Sequence, residues 1–233
     1  MASTLTTVAF DADDTLWHNE RFFQLTQAHF ADLLRDYTDR DSLMEELLAA
    51  EKRNLGHYGF GVKGFTLSMI ETALEVTQGR VPGTVITEIL DAGRDMLRHP
   101  IELLPHAKAA LENARQNHRI LLITKGDLLD QERKLAQSGI GEFFDAVEIV
   151  SEKARPVYEE IFARHGDGVE HSLMVGNSLK SDILPVLSAG GWAVHVPYEV
   201  TWELEAAKDP VDAEKFRKLV DLAGLAPLLH EIA

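Results

Sequence analysis

Two aspartates two positions apart, Asp11 and Asp13, stand in the run Asp-Ala-Asp-Asp-Thr, directly after the short apolar stretch Leu5 to Phe10. At the end of a strand, two acids at that spacing project from nearly the same place. One can attack as a nucleophile while the other carries protons. A carboxylate attacking phosphorus forms an aspartyl-phosphate and divides one hard displacement into two easier ones. One carboxyl group can protonate the departing alkoxide and then, as its conjugate base, activate water. Two carboxylates repel a phosphate dianion, so this chemistry asks for a hard divalent cation on oxygen ligands. A lysine, a threonine hydroxyl and backbone N–H groups would complete such a cradle.

Residues of those types recur further along, each just past an apolar, β-prone run. Thr124, followed by Lys125 and Gly126, closes Arg119 to Ile123. Lys153 follows a stretch, Phe143 to Val150, that contains a strand. Gly176-Asn177-Ser178, with Asp182 beyond, closes Ser172 to Val175. In an open α/β sheet the carboxyl ends of the strands lie side by side along one edge, where ligands bind. Residues far apart in the chain therefore converge on one crevice. Lys125 and Lys180 are rivals to Lys153 for the cationic role. Thr124 can also cap the helix after it, a use compatible with anion binding at a helix N-terminus.

The elements that must position these groups follow from the hydrophobic pattern. Helical spacing marks Ala107 to Asn117, Leu128 to Ser138, Arg155 to His165 and Ser181 to Ala189, with Trp192 to Val196 a further strand and Phe216 to Ile232 a mostly helical tail. Strand and helix alternate, which predicts a Rossmann-like parallel sheet with helices on both faces. Between about Trp17 and His99 the pattern is helical throughout. Phe22, Phe23, Leu25, Phe30, Leu33 and Leu34 form one stripe, and Leu43, Leu47 and Leu48 continue it behind an N-cap at Asp41 or Ser42. Gly56, Gly59, Gly61 and Gly64 mark a loop, and helices resume at Thr66 to Thr77 and Thr84 to Leu97. The division predicted is an α/β core of residues 1–16 and 100–233 and a helical insert of residues 17–99.

Composition narrows the partners. The formal charge is −15, which repels nucleic-acid backbones and requires any anionic substrate to find a local cation. The absence of cysteine excludes disulfides, thiolate catalysis and Cys-ligated zinc. No apolar run reaches the roughly 18 residues of a membrane helix, and no secretory signal is visible. The expectation is a cytoplasmic protein with no nucleic-acid or membrane partner and an open oligomeric state.

With these motifs in place, the chain resembles the haloacid dehalogenase-like (HAD) hydrolase superfamily. Asp11-Ala12-Asp13-Asp14-Thr15 is similar to its first motif and Thr124 to its second. Lys153 is similar to the third, and Gly176 to Asp182 to the fourth. The resemblance covers essentially the whole chain. It implies that Asp11 is the nucleophile and a metal ligand. It implies that Asp13 is the general acid/base and lends its carbonyl to Mg²⁺, with Asn177 and Asp182 in the fourth-motif metal positions. Phosphate would be held by Thr124, Lys153 and, as a further candidate, Lys125. The helical insert resembles the family's cap, with His57, Tyr58 and Lys63 the candidate contacts to a small phosphorylated metabolite.

Two departures stand out. Asp14 occupies a position where glycine is common, and the neutral Asn177 stands where an acid is usual, which predicts weaker metal affinity. Within the superfamily, Asp13 argues against a 2-haloacid dehalogenase, which needs neither metal nor a second acid. A phosphonatase would need a cap lysine such as Lys52 or Lys63. A phosphomutase shares all four motifs. A non-catalytic binding protein on the same fold would lack Asp11, Asp13 or Lys153, and all three are present.

Overall fold

The computed structural model describes residues 5–232. Six parallel strands form one sheet in the order β3-β2-β1-β4-β5-β6: β1 (Thr7–Phe10), β2 (Arg119–Lys125), β3 (Ala146–Val150), β4 (Ser172–Gly176), β5 (Trp192–His195) and β6 (Phe216–Lys218). Its central strands are buried along most of their length and apolar in their middles because helices cover both faces. Alternation along β1 shows this: Val8 and Phe10 pack on one face with Leu111 of α5 (Ala107–Ala114) and Leu228 of α9 (Leu225–Ile232). Ala9 packs on the other face with Tyr158, Ile161 and Phe162 of α7 (Arg155–His165) and Val186 of α8 (Leu184–Ala189). The first motif emerges between β2 and β4, at the point where strand order reverses and open sheets bind ligands.

The chain divides into two compact units. One comprises residues up to Glu20, Ile101–Lys125 and the chain from Gln131 onward. The other comprises Arg21–Pro100 with Gly126–Asp130. The helical unit therefore starts at residue 21 and not 17. Trp17 stays with the sheet unit because its side chain is fully buried in that core and its backbone bridges to Leu103. Gly126–Asp130, read from sequence as core, groups with the helices.

The helical unit contains α1 (Glu20–Leu34), α2 (Arg40–Tyr58), α3 (Val62–Val76) and α4 (Gly83–Arg98). The predicted stripe is its core: Phe30, Leu34, Leu43 and Leu47 pack on Phe65, Met69 and Ile89. Two expectations change here. The N-cap of α2 is Asp39, whose carboxylate accepts from the Ser42 amide at 3.0 Å, and not Asp41 or Ser42. The glycine loop shrinks to Gly59–Gly61, with Gly56 and Gly64 inside helices. Gly59 and Gly61 turn the chain at φ 70° and 112°, and a Cβ on Gly64 would stand 2.9 Å from the Gly59 carbonyl. These glycines serve one tight helix–helix corner, not a long loop.

The tail also differs. Residues 216–218 form a sixth strand before the final helix. Helix α8 is preceded by a π-helical turn, Leu179–Ile183.

Candidate active site

Register sets the site. Phe10 pairs with Leu122 on one side and Val175 on the other, so Asp11, Thr124 and Asn177 follow at neighbouring levels along one sheet edge. The Asp11 amide donates to the Val175 carbonyl at 2.9 Å, tying the first motif to the fourth. Lys125 pairs with Val150, which brings Lys153, three residues on, to the same edge.

Lys153 is the centre of the cluster. Its Nζ donates to Asp11 Oδ1 at 2.5 Å and to Asp182 Oδ1 at 2.7 Å, with its side chain only 2% exposed. One ammonium thus serves two buried carboxylates. Burial raises the Asp11 carboxyl to about 7; Lys153 opposes that rise, and Asp182 and Asp13 add to it. Burial alone would lower the Lys153 pKa, but the two aspartates raise it above the ordinary lysine value. Asp182 is held by its other oxygen, which accepts from the Ser178 amide at 3.0 Å. Gly176 is required beside it, because a Cβ there would collide with the Asp182 carboxylate. Thr15 joins the first and fourth motifs from its hydroxyl, at 3.0 Å from Asp11 Oδ2 and 3.2 Å from Asn177 Oδ1, and it accepts from the Asn177 amide at 3.0 Å. His195 Nε2 lies 3.0 Å from the Asn177 carbonyl and so donates to it.

Asp13 has a different environment. Burial would raise its carboxyl, but Lys134, Gln131 and Trp17 outweigh that and hold it below the usual carboxylate value. Asp14 turns the chain with φ 61°, in the left-handed region. That is the physical reason glycine suits the position; aspartate tolerates it better than most residues. Its carboxylate earns the place by accepting from the amides of Asn19 and Glu20 at 2.8 and 3.0 Å.

Lys125, carried forward as a phosphate binder, donates to Glu205 Oε1 at 2.5 Å and to Ser181 Oγ at 2.8 Å. A phosphate oxygen would have to share that ammonium with Glu205. Lys180 donates to the Leu204 carbonyl at 2.7 Å. In the helical unit, His57 and Tyr58 close α2 and Tyr58 is exposed. Lys63 pairs with both oxygens of Asp127 at 2.9 Å.

Gln131, Lys134, Glu205 and His195 were not among the candidates read from sequence, and Thr15 entered only as the last residue of the first motif. Gln131 and Lys134 lie on α6 (Leu128–Ser138) at a spacing that shares a face. Polar residues on an amphipathic helix read as solvated, and only burial reveals these two.

The oxygen-rich donor set of Asp11, Asp182, the Asn177 amide oxygen and the Asp13 carbonyl has the hard chemistry that Mg²⁺ takes. Among the described residues, no group of three or more His, Asp or Glu side chains is placed to hold a metal ion. The donors fit a cation that keeps several waters, as Mg²⁺ does.

Comparison with known proteins agrees with the sheet. The haloacid dehalogenase-like hydrolase family model matches residues 5–190, and the chain belongs to that family of hydrolases. A glyceraldehyde 3-phosphate phosphatase of Methanothermobacter thermautotrophicus is 28% identical over 220 residues, covering 89% of this chain and 91% of the relative. A haloacid dehalogenase-like hydrolase from Xanthomonas campestris superposes with a TM-score of 0.89 at 37% identity, covering 98% of this chain and 92% of its own. The L-2-haloacid dehalogenase of Xanthobacter autotrophicus shares the fold at TM-score 0.65 and 17% identity, with 99% and 100% covered.

Proposed function

We propose that the chain is a Mg²⁺-dependent phosphomonoesterase that releases phosphate from a small phosphorylated metabolite by way of a phosphoryl group held on Asp11. The observation that carries this reading is Lys153 bridging Asp11 and Asp182. One ammonium does not balance two carboxylates, so a phosphate dianion can approach only if a cation is added. Asp11, the Asp13 carbonyl, Asn177 and Asp182 would hold that cation. When bound, it supplies neutralisation of the phosphate oxygens.

An Asp11 oxygen attacks phosphorus, and the bond from phosphorus to the ester oxygen breaks. Asp13, which must first take up a proton as the dianionic ester binds, gives that proton to the departing oxygen. Asp13 then takes a proton from the water that attacks the phosphoryl-aspartate, and Asp11 is released with inorganic phosphate. Lys153 and Thr124 hold the equatorial oxygens. The presence of Asp13, and a relative named as a phosphatase of a three-carbon phosphate, favour phosphorus over halogenated carbon as the point of attack. In this reading the helical unit is the cap, and His57, Tyr58 and Lys63 contact the rest of the substrate. To do so, Lys63 must release or share Asp127.

The test is a panel of phosphorylated metabolites with added Mg²⁺ and with EDTA, for wild type and Asp11→Asn. The expected result is metal-dependent phosphate release by wild type and almost none by the variant. Release that survives EDTA, or that Asp11→Asn retains, contradicts the proposal.

A further inference from the structure

A carboxylate that must first give a proton and then take one has to stay in one place through both steps. Asp13 is held there by an unusual number of donors. Its Oδ1 accepts from Trp17 Nε1 at 2.7 Å and Lys134 Nζ at 2.9 Å; its Oδ2 accepts from Gln131 Nε2 at 2.8 Å and Lys134 Nζ at 3.1 Å. We propose that Lys134 and Gln131 are positioning residues for Asp13, fixing its carboxylate where the ester oxygen leaves. This role rests on the phosphatase reading above.

Three features point to positioning and not to a surface ion pair. First, Lys134 is 8% exposed. A lysine buried that deeply is tolerated only with matched partners, and it finds them in Asp13 and in Asn19 Oδ1 at 2.8 Å. Asn19, Trp17 and Asp13 all come from the first-motif loop, so Lys134 fastens that whole loop to α6. Second, Gln131 is 4% exposed, and its carbonyl oxygen is buried with no hydrogen-bond partner. An unsatisfied buried acceptor costs about 1–3 kcal/mol. Turned over, the amide would place that oxygen against the Asp13 carboxylate. Its orientation is therefore dictated by Asp13. The same NH₂ group reaches the Lys125 carbonyl at 3.3 Å, which references Asp13 to the end of the strand that carries Thr124. Third, a buried ion pair adds little to stability over well-packed apolar residues. Three polar side chains converging on one carboxylate are better explained by the need to aim it.

The arrangement also ranks the two residues. Without Lys134, each Asp13 oxygen loses a donor and Asn19 loses its tie. Without Gln131, only Oδ2 loses one.

The test compares kcat/KM for phenyl phosphate, whose leaving group needs a proton, with that for para-nitrophenyl phosphate, whose leaving group departs without one. Lys134→Met should lower the first at least about tenfold more than the second, and Lys134→Arg should restore much of the difference. Gln131→Leu should show the same bias more weakly, and it carries the comparison if Lys134→Met does not fold. An active wild type whose Lys134→Met and Gln131→Leu variants lose both esters equally, or lose neither, overturns the positioning role alone. A wild type inactive on both esters and across the metabolite panel overturns the phosphatase reading, and the positioning role with it; for one active only on the panel, the same comparison is made between two of its esters whose leaving groups differ in their need for a proton.

Discussion

Asp11 and Asp13 are two residues apart yet lie in opposite electrostatic surroundings. Burial and Asp182 raise the first, while Lys134, Gln131 and Trp17 outweigh burial and lower the second. The proposed roles need the reverse, an ionised Asp11 and a protonated Asp13, which a bound cation beside Asp11 and a phosphate dianion beside Asp13 would favour. Asp14, next to them, carries a consequence for stability. Burial raises its carboxyl to about 7 against the amides of Asn19 and Glu20, while an unfolded aspartate titrates near 3.9. The folded state holds this proton more tightly, so the group's contribution is fully present below about pH 4 and is lost as pH rises towards about 7. Asn has no proton to lose. In EDTA, Asp14→Asn should therefore gain on wild type by at least about 1 kcal/mol of unfolding free energy between about pH 5 and about pH 8. Urea denaturation at the two pH values checks this, and parallel behaviour of the two proteins would show that Asp14 is not buried as described. Asn177 gives a second prediction. Its amide oxygen faces the Thr15 hydroxyl and brings no charge, so Asn177→Asp should tighten the apparent Mg²⁺ constant several-fold. An unchanged constant would contradict the expectation that the neutral Asn177 weakens metal affinity.

The π-helical turn after β4 aims Asp182 back at Lys153, and Gly176 leaves the space for it. Gly176→Ala should leave the folded sheet intact, since a buried strand accepts alanine, but should displace the Asp182 carboxylate. Activity should fall by about 10² or more, comparable with removal of a single electrostatic donor, while circular dichroism stays that of wild type. Wild-type activity in this variant would mean that Asp182 can move without consequence. Such geometry is only partly legible in sequence. The apolar runs of β1, β2 and β4 and the polar residues that end them were readable because a buried parallel strand has few alternatives. The Phe216–Lys218 strand was not, because a three-residue strand at the sheet edge needs no apolar run and carries Arg217 and Lys218. The N-cap of α2 was misplaced because Asp39, Asp41 and Ser42 offer equivalent local chemistry, and only the backbone at Asp39 chooses among them. Gln131 and Lys134 were invisible for a related reason: burial of a polar face is a property of packing, not of spacing.

With a charge of −15, the molecule as a whole repels the anions it is proposed to bind. The attraction must be local, and the repulsion is the part that salt screens. At saturating Mg²⁺, KM for a dianionic ester should fall as ionic strength rises from about 0.01 M to about 0.15 M. A KM that rises instead would show that a local positive field dominates the approach. Two units with separate apolar cores were foreseeable from the change of periodicity near residues 17 and 100. That Gly126–Asp130 groups with the helices was not, since Asp127 finds its partner Lys63 64 positions earlier in the chain.

The most direct test is to catch the phosphoryl group. Wild type mixed with a substrate ester is quenched in acid during turnover and reduced with borohydride, which converts an acyl phosphate to the alcohol. Peptide mass spectrometry then reads residue 11. The prediction is homoserine in place of Asp11, only when Mg²⁺ and substrate were both present. An unmodified Asp11 from samples that were releasing phosphate when quenched would contradict covalent transfer to this carboxylate.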